Sequence, residues 1–170
     1  MKIRHSITDD LKNIMTIIHY AQRYLASLNI DQWQDGYPDK AQINKDIENK
    51  ESYVLENEEQ QIVATFMFTS SKESAYNSID GTWLTTTDAT YGVIHRVAVA
   101  ENCTRKGIAE MIITYCEKLL QNQAINSMRI DTHTDNLGMQ YILKKINYSY
   151  CGIITLDSGA TRLSYEKLLS

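Results

Sequence analysis

Apolar residues recur along the chain with two different periods, and those periods predict an order of elements. Residues 2–7 alternate in a way that predicts a short strand. Thr8, Asp9 and Asp10 then offer N-cap chemistry, and Leu11, Ile14, Ile17, Ile18, Ala21 and Leu25 follow at helical spacing, so an amphipathic helix is expected over 9–27. Trp33, Asp35, Gly36, Tyr37 and Pro38 supply turn chemistry over 29–39, and a second short helix is expected near 40–49. Ser52–Glu56 and Gln61–Thr69 read as strands joined by a polar turn at 57–60. Residues 70–90 are rich in Ser and Thr, with Asp80 and Gly81 as a hairpin-type turn signal. Tyr91–Val99 predicts a central strand, and Ile108, Ile112, Tyr115 and Leu119 predict a helix over 105–122. A strand at 127–133, a helix at 137–145 and strands at 148–156 and 161–167 complete the order βααβββαβαββ. The expected fold class is α/β, one domain over 1–170, with a mixed, mostly antiparallel sheet flanked by helices.

Composition narrows the function. The 170 residues suit one domain, which at this size buries about 70% of the surface its unfolded chain exposes. Seventeen Lys and Arg against 21 Asp and Glu give a net charge of −4, which argues against nucleic acid as the main partner. Cys103, Cys116 and Cys151 form no paired spacing, so neither a metal site nor a disulfide framework is expected, and a reducing, cytoplasmic setting is the simplest fit. The N-terminus does not read as a signal peptide, and no apolar run reaches the ~18 residues that would span a bilayer, so no membrane partner is expected.

One stretch carries chemistry. Val97 to Ala109 reads VAVAENCTRKGIA: an apolar strand, a turn bearing Arg105, Lys106 and Gly107, and then the helix at Ile108. The first amides of a helix have no partner within it, and the helix dipole adds positive potential there. Gly107 permits close backbone approach. The expected result is a pyrophosphate cradle with two cations beside it. The glycine spacing is that of neither a Walker loop nor a dinucleotide fingerprint.

This strand–turn–helix resembles the acyl-CoA-binding motif of the GNAT acyltransferase superfamily, Gln/Arg-x-x-Gly-x-Gly/Ala. Gly107 and Ala109 match the last two fixed positions; Thr104 stands at the first, and Arg105 offers the charge one residue later. The likeness extends over nearly the whole chain. Residues 2–27 resemble the family's first strand and helix, and Arg129 to Asn136 with helix 137–145 resemble its fifth strand and fourth helix. Ile146, Asn147 and Tyr148 sit where the family usually has a Gly-Phe ending, and residues 150–152 and 165–167 resemble its small-molecule branch. The resemblance implies an acyl-CoA N-acyltransferase-like fold, splayed at the fourth and fifth strands. It also implies acetyl-CoA as co-substrate, with no metal.

What the resemblance implies for the site follows residue by residue. Val97, Ala98, Val99, Thr104, Arg105, Lys106, Gly107, Ile108, Ala109 and Asn136 are the expected cofactor-binding positions. Val97 and Val99 would act through backbone amides, and Asn136 equally reads as a helix N-cap. The family's acid tyrosine falls on Leu143. Tyr141, two residues away, points about 160° around the helix, which leaves Cys151, Tyr148 or unassisted departure of the thiolate. Asp131 and His133 lie on one strand face and are the candidate bases, against a plain reading as a hydrogen-bonded strand end. His95 and Arg96 read as structural. Trp33, Asp35 and Tyr37 sit where the family places a loop over the acceptor. The segment around Trp83 either covers the same site, forms a homodimer contact or is ordinary packing. The expected activity is acetyl transfer from acetyl-CoA to an amino group of a small-molecule or amino-acid-like acceptor. The alternatives are protein N-terminal or lysine acetylation and a catalytically silent acyl-CoA-binding module.

Overall fold

The computed structural model describes residues 1–86 and 88–170; Thr87, inside the Ser/Thr-rich stretch, lies outside the described residues. In chain order the elements are β1 (Lys2–His5), α1 (Leu11–Ser27), α2 (Lys40–Glu48), β2 (Ser52–Glu56), β3 (Ile62–Thr69), β4 (Asp80–Gly81), β5 (Gly92–Val99), α3 (Ile108–Asn122), β6 (Ser127–Thr132), α4 (Leu137–Lys145), β7 (Ser149–Thr155) and β8 (Thr161–Leu168). Single 3-10 turns occupy Thr8–Asp10, Ser74–Asn77 and Glu101–Cys103. The strands form an open mixed sheet in the order β1-β2-β3-β5-β6-β8-β7-β4. The β5–β6 ladder is parallel and carries the pairs Gly92↔Met128 and Val93↔Arg129, on strands of 8 and 6 residues.

Two compact units divide the chain: Met1–Phe68 with His95–Met111, and Thr69–Ile94 with Ile112–Ser170. In the first, β1 and β3 both pair antiparallel with β2, from Lys2↔Glu56 and from Ser52↔Met67. Helix α1 exists because its apolar residues fall on one stripe. Ile14, Met15, Ile17 and Ile18 are at most 5% exposed and pack with Ile43 of α2, Val54 of β2 and Ala98 of β5. Each such side chain stabilises the unit by about 1.5–3 kcal/mol. The helix begins at Leu11 rather than residue 9. Asp10 does not cap it; its carboxylate accepts from the Ile7 amide at 2.9 Å and from Arg4 at 2.6 Å.

In the second unit, β6 and β7 both pair antiparallel with β8, and β4 extends the sheet beyond β7. Asp80 and Gly81 therefore form a two-residue strand rather than the expected hairpin turn. Gly81 (φ 142°) and Gly152 (φ 146°) face each other so closely that a Cβ on either would overlap the opposite backbone. The core gathers Tyr76, Trp83, Tyr91, Val93, Cys151 and Ile154.

A charged pair is buried in this unit. Arg129 of β6 lies opposite Glu166 of β8, at 1% and 0% exposure. The Glu166 carboxylate accepts from Arg129 Nε (3.1 Å), Ser127 Oγ (2.5 Å), Thr85 Oγ1 (2.5 Å) and the amides of Leu84 (2.5 Å) and Thr85 (3.2 Å). Arg129 also donates to Thr85 Oγ1 at 3.0 Å and lies between the rings of Trp83 and Tyr91, 4.1 and 3.9 Å from their centroids. Burial pushes the Glu166 carboxyl up, but the hydroxyl donors and Arg129 outweigh it and hold the group below its ordinary value.

A carboxyl with a folded pKa below its unfolded one stabilises the fold above the unfolded value and loses that contribution as pH falls through the folded value. Glu166→Ala leaves Arg129 buried and uncompensated, and should cost about 3–5 kcal/mol in urea unfolding at pH 7. The cost should shrink as the pH is lowered through the acid range. A cost under about 1 kcal/mol at pH 7 would show that the pair does not hold this unit.

Candidate functional site

The first unit carries the turn on which cofactor binding was expected. Ala98 is buried in the core cluster, while Val97 and Val99 are half-buried. The Ala100 amide donates to the Val63 carbonyl of β3 at 2.8 Å. Backbone groups alternate along a strand, so the Val97 and Val99 amides point to the edge away from β3. The core side chain of this stretch is thus that of Ala98 rather than of the two valines expected there.

After β5 the chain does not enter the helix at residue 105, as the periodicity suggested. Arg105 (φ 60°) and Gly107 (φ 75°) are left-handed, and α3 starts at Ile108. Thr104, Arg105, Lys106 and Gly107 are all exposed, and Ile108 is the buried anchor. A Cβ on Gly107 would meet nothing within 4 Å, so the space over the turn is open. Lys106 Nζ donates to the Asn102 carbonyl at 2.9 Å, and Met111 N–H to the Gly107 carbonyl at 3.0 Å starts the helical ladder. An open turn, two cations and the unpartnered amides of a helix start fit a pyrophosphate.

The loop bearing Trp33, Asp35 and Tyr37 is in the same unit. Trp33 (φ 67°) is half-buried against the α1–α2 core. Asp35 closes a turn by accepting from the Tyr37 amide at 3.1 Å. Tyr37 is 38% exposed, precedes Pro38 across a cis peptide bond, and accepts on its hydroxyl from Arg96 Nη1. Arg96 (φ 54°) interrupts β5 with a left-handed residue. Its Nε and Nη2 each lie 2.9 Å from the Asp46 carboxylate of α2, which also accepts from Gln42 at 2.8 Å. Burial pushes the Asp46 carboxyl above its ordinary value even though Arg96 pulls it down.

The second unit holds the candidate proton-transfer residues. Asp131 is half-buried, and Oδ1 accepts from the Tyr76 hydroxyl at 2.6 Å. His133 is half-buried too, and its Nδ1 accepts from the Asp135 amide at 3.2 Å. With Nδ1 accepting, the ring proton sits on Nε2, so His133 presents a donor. Asn136 caps α4 by accepting from the Met139 amide at 3.1 Å. Leu143, at the family's acid position, is fully buried, and Tyr141 is 69% exposed. Cys151 is buried, and its Sγ points at the Ser149 carbonyl, 3.5 Å away. Burial, with the Glu166 charge, pushes its thiol up, and burial likewise pushes the Tyr148 hydroxyl well up. Trp83 is 8% exposed, packs on Arg129 and donates from Nε1 to the Tyr76 carbonyl at 3.1 Å, which is the packing alternative for that ring. Sequence reasoning missed Tyr76 as the partner of Asp131 and Asp46 as the partner of Arg96; each pair is separated by about 50 residues. Among the described residues no cluster of His, Cys, Asp and Glu suits a metal ion, and no helix is long and apolar enough to cross a membrane.

The profile of the acetyltransferase (GNAT) family matches residues 17–148. A GNAT-family acetyltransferase from Streptococcus agalactiae is 31% identical in sequence and superposes with a TM-score of 0.88, over 99% of this chain and 95% of that one. A GNAT-family acetyltransferase from Listeria monocytogenes, 19% identical, superposes at 0.77 over 99% and 94%. A ribosomal-protein-alanine N-acetyltransferase from Brucella melitensis, 17% identical, superposes at 0.67 over 99% and 100%. The last two show likeness of fold alone. No curated protein matches the sequence.

Replacing Arg96 tests the clamp in the first unit. Arg96→Gln should destabilise the protein by about 3–5 kcal/mol at pH 7, because Asp46 is left buried without its cation. Losing Arg96 raises the folded pKa of Asp46 further, so the ionised form is penalised at neutral pH and relieved by protonation. Urea unfolding from pH 7 towards pH 5 should therefore show the penalty shrinking; a penalty independent of pH would exclude Asp46 as its source.

Proposed function

Because the chain belongs to the GNAT acetyltransferase family, we propose that it transfers an acetyl group from acetyl-CoA to the amino group of a small-molecule or amino-acid-like acceptor. Bound acetyl-CoA supplies an activated acyl thioester. The observation that carries the cofactor half of the reading is the exposed turn Thr104–Gly107. Its charges and amides are those a pyrophosphate requires, and backbone amides do not depend on which side chain stands at Thr104. The amides of Val97 and Val99 are the donors for the pantetheine arm and the thioester carbonyl.

An acceptor amine with a pKa of about 10.4 must lose a proton before it attacks, at a cost of about 4–5 kcal/mol at neutral pH. Asp131 is the base in this reading. It is favoured over His133 because the imidazole nitrogen that would take the proton already accepts from the Asp135 amide. For the departing thiolate, Cys151 is a thiol held in its protonated, donating form by burial. Without it the thiolate leaves unassisted, since a thiol pKa of about 8.5 makes it a tolerable leaving group. The loop with Trp33, Asp35 and Tyr37 receives the acceptor, its carboxylate and aromatic faces suiting a cation. The three free cysteines are consistent with a cytoplasmic enzyme.

Purified protein incubated with acetyl-CoA and a panel of small amines, amino acids and peptide N-termini should release free thiol only with an acceptor, and most with a small amine. Thiol release with peptides alone would move the activity to protein acetylation, and binding without release would make the chain an acyl-CoA carrier. Gly107→Glu sets a negative charge over the turn without a packing clash. Calorimetry should show acetyl-CoA affinity falling about 100-fold or more, as like-charge contact demands. Unchanged affinity would remove the turn from the site.

A further inference from the structure

The described residues of 74–91 have no part in the chemistry above, yet they deliver one polar group from a packed aromatic cluster. Tyr76 is 2% exposed, and its ring packs with Trp83 and Tyr91, centroids 5.3 and 6.0 Å away. Its backbone carbonyl accepts from Trp83 Nε1 at 3.1 Å, and Trp83 lies on the Arg129 guanidinium. The segment is anchored again where the amides of Leu84 and Thr85 reach Glu166. The Tyr76 hydroxyl leaves this aromatic cluster and donates to Asp131 Oδ1 at 2.6 Å. Burial, the Asp131 charge and Glu73 all hold the phenol protonated, so it acts as a donor. Asp131 shares a strand face with Arg129 by the two-residue period, and it is the half-buried member of that row.

We propose that Tyr76 is a positioning residue for acyl transfer, its hydroxyl fixing the orientation of the Asp131 carboxylate that accepts the amine proton. This rests on the reading of Asp131 as the base. The Ser74–Tyr91 segment is then a brace for that carboxylate: the aromatic packing and the Glu166 contacts hold the phenol, and the phenol holds the acid. A charge-assisted hydrogen bond in a half-buried place limits the rotamers of the carboxylate, and a misplaced base loses rate rather than cofactor affinity.

The test is a cycle of wild type, Tyr76→Phe, Asp131→Asn and the double variant. KM for acetyl-CoA and kcat with the best amine of the panel are measured, with thermal unfolding to confirm that each variant folds. Tyr76→Phe keeps the ring and its packing and removes the donor alone. The expected result is a kcat lower by about 10-fold or more, an unchanged KM for acetyl-CoA, and no further loss when Tyr76→Phe is added to Asp131→Asn. Wild-type kcat in Tyr76→Phe beside an impaired Asp131→Asn overturns the positioning role and leaves the base in place. Equal, independent losses in the double variant also overturn it, because Tyr76 would then act through packing. Wild-type kcat in Asp131→Asn overturns the base reading itself, whatever Tyr76→Phe does.

Discussion

Arg129 and Glu166 face each other across β6 and β8 with essentially no water to fall back on, and most of the second unit is arranged to make that tolerable. Five donors surround the carboxylate, and two aromatic faces enclose the guanidinium. Against an apolar pair of the same volume, such an ion pair contributes little net stability, but leaving either partner alone is costly. Its consequence here is geometric. A one-residue slip of β8 against β6 would turn Glu166 to the other face and strand both charges. The amides of Leu84 and Thr85 both donate to Glu166, so the pair also seats that part of the inserted segment. Trp83, Tyr91 and Tyr76 are placed by that seat, and the hydroxyl of Tyr76 reaches Asp131 from it.

The first unit solves a different problem. Its functional strand carries a left-handed residue at Arg96 and ends in a turn with two more, Arg105 and Gly107. A non-glycine residue in that conformation costs about 1–2 kcal/mol. At Arg96 the cost is met by two hydrogen bonds to Asp46 and one to Tyr37, so a strained backbone is held by a clamp from α2 and the neighbouring loop. At Arg105 and Gly107 no clamp is needed, because the turn is exposed and Gly107 lacks a Cβ.

These two arrangements divide the labour of an acetyltransferase along the chain. In the proposed reading, recognition of the cofactor relies on backbone, so Thr104 can stand where the family pattern has a glutamine or arginine. Proton transfer in that reading relies on side chains, and there the chain departs further: Leu143 is core, and no exposed tyrosine takes its place on the same helical face. The acid step is thus chemically the least demanding for the protein to supply, since a thiolate departs more readily than an alkoxide, whereas deprotonating the amine is the step that needs a placed group.

Local pattern determined a great deal. The four helices, the long strands and the turn before Ile108 follow from spacing and from residues whose conformational limits are intrinsic, and the boundaries of β2 and α4 agree to the residue with those expected. The end of β5 and the start of α3 placed the turn between them in the same way, because a strand, a glycine turn and a helix are all short-range structures. Two local readings failed: Asp80 and Gly81 carry a turn signal, yet β7 pairs with them because Gly152 permits the approach, and the helix expected from residue 105 starts only at Ile108, because Arg105 and Gly107 are left-handed. Which polar residues meet was decided entirely by the fold. Asp46 with Arg96, Tyr76 with Asp131 and Glu166 with Thr85 and Arg129 are each separated by tens of residues, and a carboxylate's partner is set by strand order and register rather than by its neighbours in the chain. The sequence by itself therefore determined the elements and the turn before α3, and tertiary structure alone decided which carboxylate meets Tyr76, which tryptophan is core and which charge is buried, because those depend on long-range pairing and on exclusion of water.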